Sequence, residues 1–218
     1  FAFVDAAALD LAFLGDPPAE NSPDAKAEFG TLLYLQDGRT PEAVARIAAE
    51  REMAPEVFAG AVGPWFNAAA LPKTAALLAA VKADTERAAD RAKRTWARTP
   101  PAKADRRVHP AAPLPPGSSY PCSDAAVGTV WGFVLGELMP DKRQGLFVRA
   151  AEIGDDQVLA GLRFPSDVVA GRKLGVEITR QLLESPAFQD ALKEAKAELD
   201  AAPKTVAALP SPTVPAAK

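Results

Sequence analysis

This sequence predicts an all-α fold, a helical bundle. Three observations carry the prediction. Helix-start signals recur, with Ser or Thr at the cap and Pro at the first helical position: Ser22-Pro23, Thr40-Pro41 and Ser185-Pro186. A long Ala-rich stretch from Pro72 to about Trp96 places Leu77, Leu78, Val81, Ala88, Ala92 and Trp96 on one helical face. No run of any length alternates apolar and polar residues as a half-buried strand would.

The elements follow in order. Residues 1–21 contain Asp16-Pro17-Pro18 and no clear period, and are expected as an extended N-terminal arm over the surface. The Ser22 cap opens a helix to about Gln36, which Gly38 stops. Thr40 opens another to about Met53, and residues 55–59 form a short turn of helix. Gly63-Pro64 breaks the chain before the long helix from Pro72, which Thr99-Pro100-Pro101 ends. Residues 99–119 then read as a Pro-rich loop, whose basic cluster Lys103, Arg106 and Arg107 reads as a solvated face.

Ala125–Leu138 is an apolar run capped by Ser123 or Asp124 and ended by Pro140. Its Gly128, Gly132 and Gly136 recur every fourth residue, which suits close helix packing. Asp141 can cap a helix to about Glu152, Pro165-Ser166-Asp167 start one to about Glu184, and Ser185 caps the last, to about Leu199. The helical domain is thus expected over 22–201. The Ala- and Pro-rich tail, 202–218, has no periodic face and is expected to be disordered.

Composition narrows the function. Of 218 residues, 25 are basic and 28 acidic, a net charge of −3, which argues against a nucleic-acid partner. The single Cys precludes an internal disulfide. The single His, His109, excludes zinc sites built on several His and Cys, and any mechanism needing two histidines. No cofactor is expected. No run reaches the roughly 20 apolar residues of a membrane span.

The motifs are Gly117-Ser-Ser-Tyr-Pro-Cys-Ser-Asp-Ala125 and Gly154-Asp-Asp-Gln-Val-Leu-Ala-Gly-Leu-Arg-Phe-Pro-Ser-Asp-Val-Val-Ala-Gly-Arg172. Together they resemble the active-site frame of the bacterial class A non-specific acid phosphatases. These belong to the superfamily of type 2 phosphatidic acid phosphatases and vanadium haloperoxidases. The resemblance runs from about Leu9 to Leu199 and implies that family's helical bundle, a hydrolase fold, together with a periplasmic or secreted location. The family's site implies a His nucleophile, a second His as general acid, an Asp that orients the nucleophile, and Lys and Arg groups that grip the phosphoryl oxygens.

Position by position, this sequence keeps little of that chemistry. Lys93 matches the family's lysine. The arginine of its Arg-Pro pair is replaced by Pro100, which cannot grip an anion; Arg98 lies nearby, but its direction on the chain would differ, and the sequence does not tell whether it substitutes. Where the family has Pro-Ser-Gly-His, the chain has Pro121-Cys122-Ser123-Asp124, so Asp124 stands at the general-acid position. Gln157 replaces the second phosphate-binding arginine, Arg163 the nucleophilic histidine, and Asp167 matches the orienting aspartate. A guanidinium, with a pKa above about 12, is no nucleophile near neutral pH.

Lys93, Cys122, Ser123, Asp124, Gln157, Arg163 and Asp167 are therefore expected to line a degenerate phosphatase pocket with no catalytic set intact. Arg163 is expected to bridge Asp124 and Asp167 and fill it.

The leading expectation is a pseudoenzyme with a binding or structural role. The alternatives are a phosphate-ester hydrolase using Lys93, Asp124 and Asp167, and a protein–protein module, as a homodimer for instance. An open polar pocket favours ligand binding and a plugged one a scaffold. The ligand or protein partner is not named by the sequence. Other candidates have plainer readings. Cys122 at a helix start, where the dipole lowers a thiol pKa, is a packed thiol rather than a nucleophile served by His109. Trp65, Trp96 and Trp131 are packing residues. Asp155-Asp156 caps or solvates a loop rather than joining Asp124 on a cation.

Overall fold

The computed structural model describes residues 2–204. The helices run α1 (Pro23–Asp37), α2 (Pro41–Glu50), α3 (Ala59–Val62), α4 (Pro72–Trp96), α5 (Pro101–Ala104), α6 (Ser123–Leu138), α7 (Arg143–Leu159), α8 (Pro165–Glu184) and α9 (Pro186–Ala201). Short 3-10 turns occupy Ala12–Leu14, Pro55–Phe58 and Pro140–Lys142. No strand occurs among the described residues. The expected tail over 202–218 lies, from residue 205 on, outside the described residues.

The start signals act as the sequence predicts: the side chains of Ser22, Thr40 and Ser185 accept hydrogen bonds from the backbone N–H three residues on, each followed by Pro. At α6 the cap differs. Cys122, not Ser123 or Asp124, is the cap residue, and its Sγ accepts from Ala125 N at 3.4 Å. Helix α7 also differs, because it continues past Glu152 to Leu159. Gly154 is helical there, and its missing Cβ makes room for α8: a methyl would stand 2.9 Å from Val168 Cγ1.

Helix α6 is the centre of the bundle, packed by α4, α7 and α8. It is apolar on nearly every side, with Val127, Val130, Trp131, Val134 and Leu135 buried. Its glycines face neighbours as their spacing suggests: a methyl on Gly132 would meet Ala150 Cβ at 2.8 Å. Trp131 donates from Nε1 to the carbonyl of Leu78 at 2.9 Å, which ties α6 to α4. Helix α9 closes one end, its Glu198 carboxylate accepting from the N–H groups of Lys73 and Thr74, both at 2.8 Å, at the start of α4. No helix among the described residues is long and apolar enough to cross a membrane.

The first residues, expected as an extended arm over the surface, also send side chains into the bundle. Val4, Leu9, Leu11 and Leu14 are buried in the main core. Asp84, fully buried on α4, accepts from the backbone N–H groups of Ala2, Phe3 and Val4 at 3.0, 2.7 and 3.0 Å. The Tyr120 hydroxyl lies 3.0 and 2.8 Å from the carbonyls of Leu14 and Gly15. Apolar residues spaced without a helical period are enough to anchor an extended segment.

Candidate functional site

Two chain junctions meet beside α6: the end of α4 with the loop that follows, and the turn between α7 and α8. A tight approach holds them. The Cys122 N–H donates to the carbonyl of Asp167 at 2.9 Å, and a methyl on Gly171 would stand only 2.2 Å from the Cys122 carbonyl oxygen. This contact brings Cys122, Ser123 and Asp124 at the start of α6 alongside Arg163 and Asp167 at the start of α8.

Asp167 is fully buried at the third position of α8. One oxygen accepts from the Phe164 N–H at 2.8 Å, which caps the helix, and the other from Arg98 Nη1 at 2.7 Å. Arg98 reaches Ser166 Oγ through the same nitrogen and Glu28 through Nη2, each at 2.7 Å. Glu28 in turn accepts from the Ser166 N–H at 2.7 Å, and the guanidinium carbon of Arg98 lies 4.0 Å from the centroid of the Phe164 ring. Burial pushes the Asp167 carboxyl above its ordinary value, against the pull of Arg98 and the Phe164 N–H.

The expected bridge from Arg163 to Asp124 and Asp167 is not formed. Among the described residues Arg163 makes no ion pair within 4.0 Å, although only 2% of it is exposed, and its Nε and Nη1 are buried without a hydrogen-bond partner there. Asp167 is held instead by Arg98 on one oxygen and by the Phe164 N–H on the other. Gln157 lies in the last turn of α7, its Oε1 buried and unpartnered, and its carbonyl accepts from the N–H groups of Leu162 and Arg163 at 3.0 and 3.2 Å. Asp124 is half-buried with no ion pair of its own. Lys93 donates to Ser123 Oγ and stands 3.7 Å from Asp90.

The Cys122 thiol is fully buried, and burial, then the nearby Asp124, pushes it up to about 11. The helix start does not lower it, because desolvation outweighs the dipole. Asp155 and Asp156 do not approach Asp124: they pair with Arg172 and Arg46 at 2.8 and 2.6 Å. No group of three or more His, Cys, Asp or Glu that could hold a metal occurs among the described residues.

Beside this network lies an open cleft of about 620 Å³, lined by Asp90, Lys93, Arg94, Arg98 and Lys103, and by Gly117 and Ser118 at the start of the first motif. Its rim carries four basic side chains against one carboxylate. Arg94 and Lys103 form no ion pair within 4.0 Å among the described residues. Lys103 is therefore part of a cleft and not simply of a solvated face, whereas Arg107 pairs with its neighbour Asp105 at 2.6 Å.

Glu28 is the residue that the sequence hides. It sits 70 residues from Arg98 on a helix with no marked apolar face, and no local signal points to its partner.

This all-helical chain, with both motifs set against its central helix, is similar in sequence to curated non-specific acid phosphatases. The chain is 28% identical over 197 residues to the non-specific acid phosphatase of Salmonella typhi, covering 86% of this chain and 79% of that one. It is 39% identical over 82 residues to that of Salmonella typhimurium, covering 38% of this chain and 33% of its relative. It is 33% identical over 85 residues to that of Providencia stuartii, covering 39% and 34%. The latter two matches thus span only about a third of those relatives' length. No family model matches the chain.

Proposed function

We propose that this chain is a pseudo-phosphatase: an acid-phosphatase-like, exported protein that binds an anionic ligand without hydrolysing it. One observation carries the reading. The position where the resemblance calls for a nucleophilic histidine holds Arg163, a buried side chain whose guanidinium offers only donors and no nucleophilic lone pair. Asp124, at the general-acid position, brings negative charge where a phosphoryl group would need positive charge. Lys93, Cys122, Ser123, Asp124, Gln157, Arg163 and Asp167 remain, on this reading, as the frame of the old pocket. The open basic cleft beside it supports ligand binding over a purely structural role.

The test is calorimetric titration of the full chain with inorganic phosphate, with p-nitrophenyl phosphate turnover measured on the same sample. Saturable binding without turnover is expected. The variant R94A/K103A removes two basic groups of the cleft that lack carboxylate partners among the described residues and weakens binding about a hundredfold, at about 1.5 kcal/mol per charge-assisted contact. Turnover by the wild type, or binding that the double variant leaves unchanged, would overturn the reading.

A further inference from the structure

On the far side of α7 from the basic cleft, helix α2 is fastened by charge. Glu50, the last residue of α2, is 2% exposed. One of its oxygens accepts from Arg149 Nη2 on α7, and the other, Oε2, is buried without a donor. Asp156, on the same face of α7, is 3% exposed and takes both nitrogens of a fork from Arg46 on α2, at 2.6 and 2.7 Å. Arg46 and Glu50 lie one turn apart on α2, and Arg149 and Asp156 two turns apart on α7, so the crossed pairs bring the Glu50 and Asp156 carboxyls into one buried joint.

The other charged groups are few. Glu152 on α7 is 3.3 Å from Arg149 Nη1, and Arg149 Nε donates to the Val57 carbonyl at 2.8 Å. From α4, Lys82 donates to the carbonyls of Glu52 and Met53 at 3.1 and 3.3 Å, beyond the end of α2, and pairs with Glu86 at 3.9 Å. The cluster between α2 and α7 thus holds the carboxyls of Glu50, Asp156 and Glu152 against the guanidiniums of Arg46 and Arg149. With every group ionised, it carries one uncompensated negative charge. Glu50 also lies at a helix C-terminus, where the dipole opposes a carboxylate.

We propose that Glu50 and Asp156 share one proton, and that this proton is a latch: held, it closes α2 onto α7; lost, it leaves two buried carboxylates repelling across the joint. The proton completes the bonding, since a protonated Glu50 Oε2 becomes a donor and Asp156 an acceptor. Burial, with Asp156 beside it, pushes the Glu50 carboxyl up to about 7, although Arg149 pulls it down. The sign follows. A carboxyl with a raised folded pKa binds its proton more tightly folded than unfolded, so the docking is strongest below about 4.5 and weakens as pH rises towards 7. Arg46, Glu152 and Asp156 also line a cleft of about 570 Å³ with Leu35, Val158 and Val168, so the latch governs its wall.

Amide hydrogen exchange of the full chain between pH 5 and 8, corrected for intrinsic rates, tests the latch. In the wild type, protection of α2 should fall by up to tenfold per pH unit below pH 7, the limit for one coupled proton, while α6 stays flat. In Glu50→Gln, whose amide keeps a permanent donor, α2 protection should be independent of pH across the window. In Asp156→Asn, which removes a charge that raises the Glu50 carboxyl, the fall should move to lower pH; an unchanged profile, or a shift to higher pH, overturns the proposal. A flat α2 profile in the wild type, or a Glu50→Gln profile that falls as steeply as the wild type, overturns it.

Discussion

Removing Arg98 should be among the costliest single changes in the chain. Arg98→Met keeps an apolar stem but removes the guanidinium that stacks on Phe164, and breaks two ion pairs, to Asp167 and Glu28, each at 2.7 Å. The carboxylates are fully and nine-tenths buried, so both lose their cationic partner in a desolvated site and keep one backbone N–H each. Breaking a buried pair from one side costs about 3–5 kcal/mol. For a domain of this size, each kcal/mol lowers Tm by about 2–4 °C, so the loss is on the order of 10 °C at pH 8.

The deficit should also depend on pH. Burial already raises the Asp167 carboxyl, and loss of Arg98 raises it further. A protonated Asp167 no longer needs the guanidinium, so the variant recovers stability as pH falls and loses it as pH rises. Arg98→Lys restores the charge but not the fork, and should fall between. Differential scanning calorimetry at pH 5 and pH 8 checks this. A drop of less than about 3 °C at pH 8, or an equal deficit at both values, would refute the reasoning.

Other expectations follow from single contacts. Gly171→Ala forces a methyl to 2.2 Å from the Cys122 carbonyl, so α6 and α8 must separate; a loss of at least about 3 kcal/mol is expected in urea unfolding. Cys122, buried and pushed up to about 11, should resist alkylation at pH 8 in the native protein and react at once in denaturant, read by mass spectrometry. Burial pushes Asp84 up, but three backbone N–H groups and Arg87 more than offset it and hold the carboxyl below its ordinary value. Asp84→Ala should therefore free residues 2–4 and speed proteolysis within the first 21 residues, with the rest of the chain still protected.

Local chemistry made most of the fold legible. Ser22-Pro23, Thr40-Pro41 and Ser185-Pro186 mark helix starts because a cap and a preset φ act within one turn. The end of α7 was not legible, because Gly154 reads locally as a break, whereas its purpose is to admit Val168 of a neighbouring helix. The candidate site divides the same way. The motifs single out Asp167 and Arg163, but the partner that holds Asp167 is Arg98, and the partner of Arg98 is Glu28, joined by folding rather than by spacing. The latch between Glu50 and Asp156 is hidden for the same reason: it joins α2 to α7 across more than a hundred residues of chain.

The proposed pseudo-phosphatase role requires that Arg163 and Asp124 support no phosphatase chemistry. Hydrolysis of p-nitrophenyl phosphate from pH 4 to 8 tests it most directly, with Arg163→Ala and Asp124→Ala beside the wild type. No turnover above the buffer rate is expected from any of the three. Turnover in the wild type that both variants lose would contradict the account and require a nucleophile other than histidine.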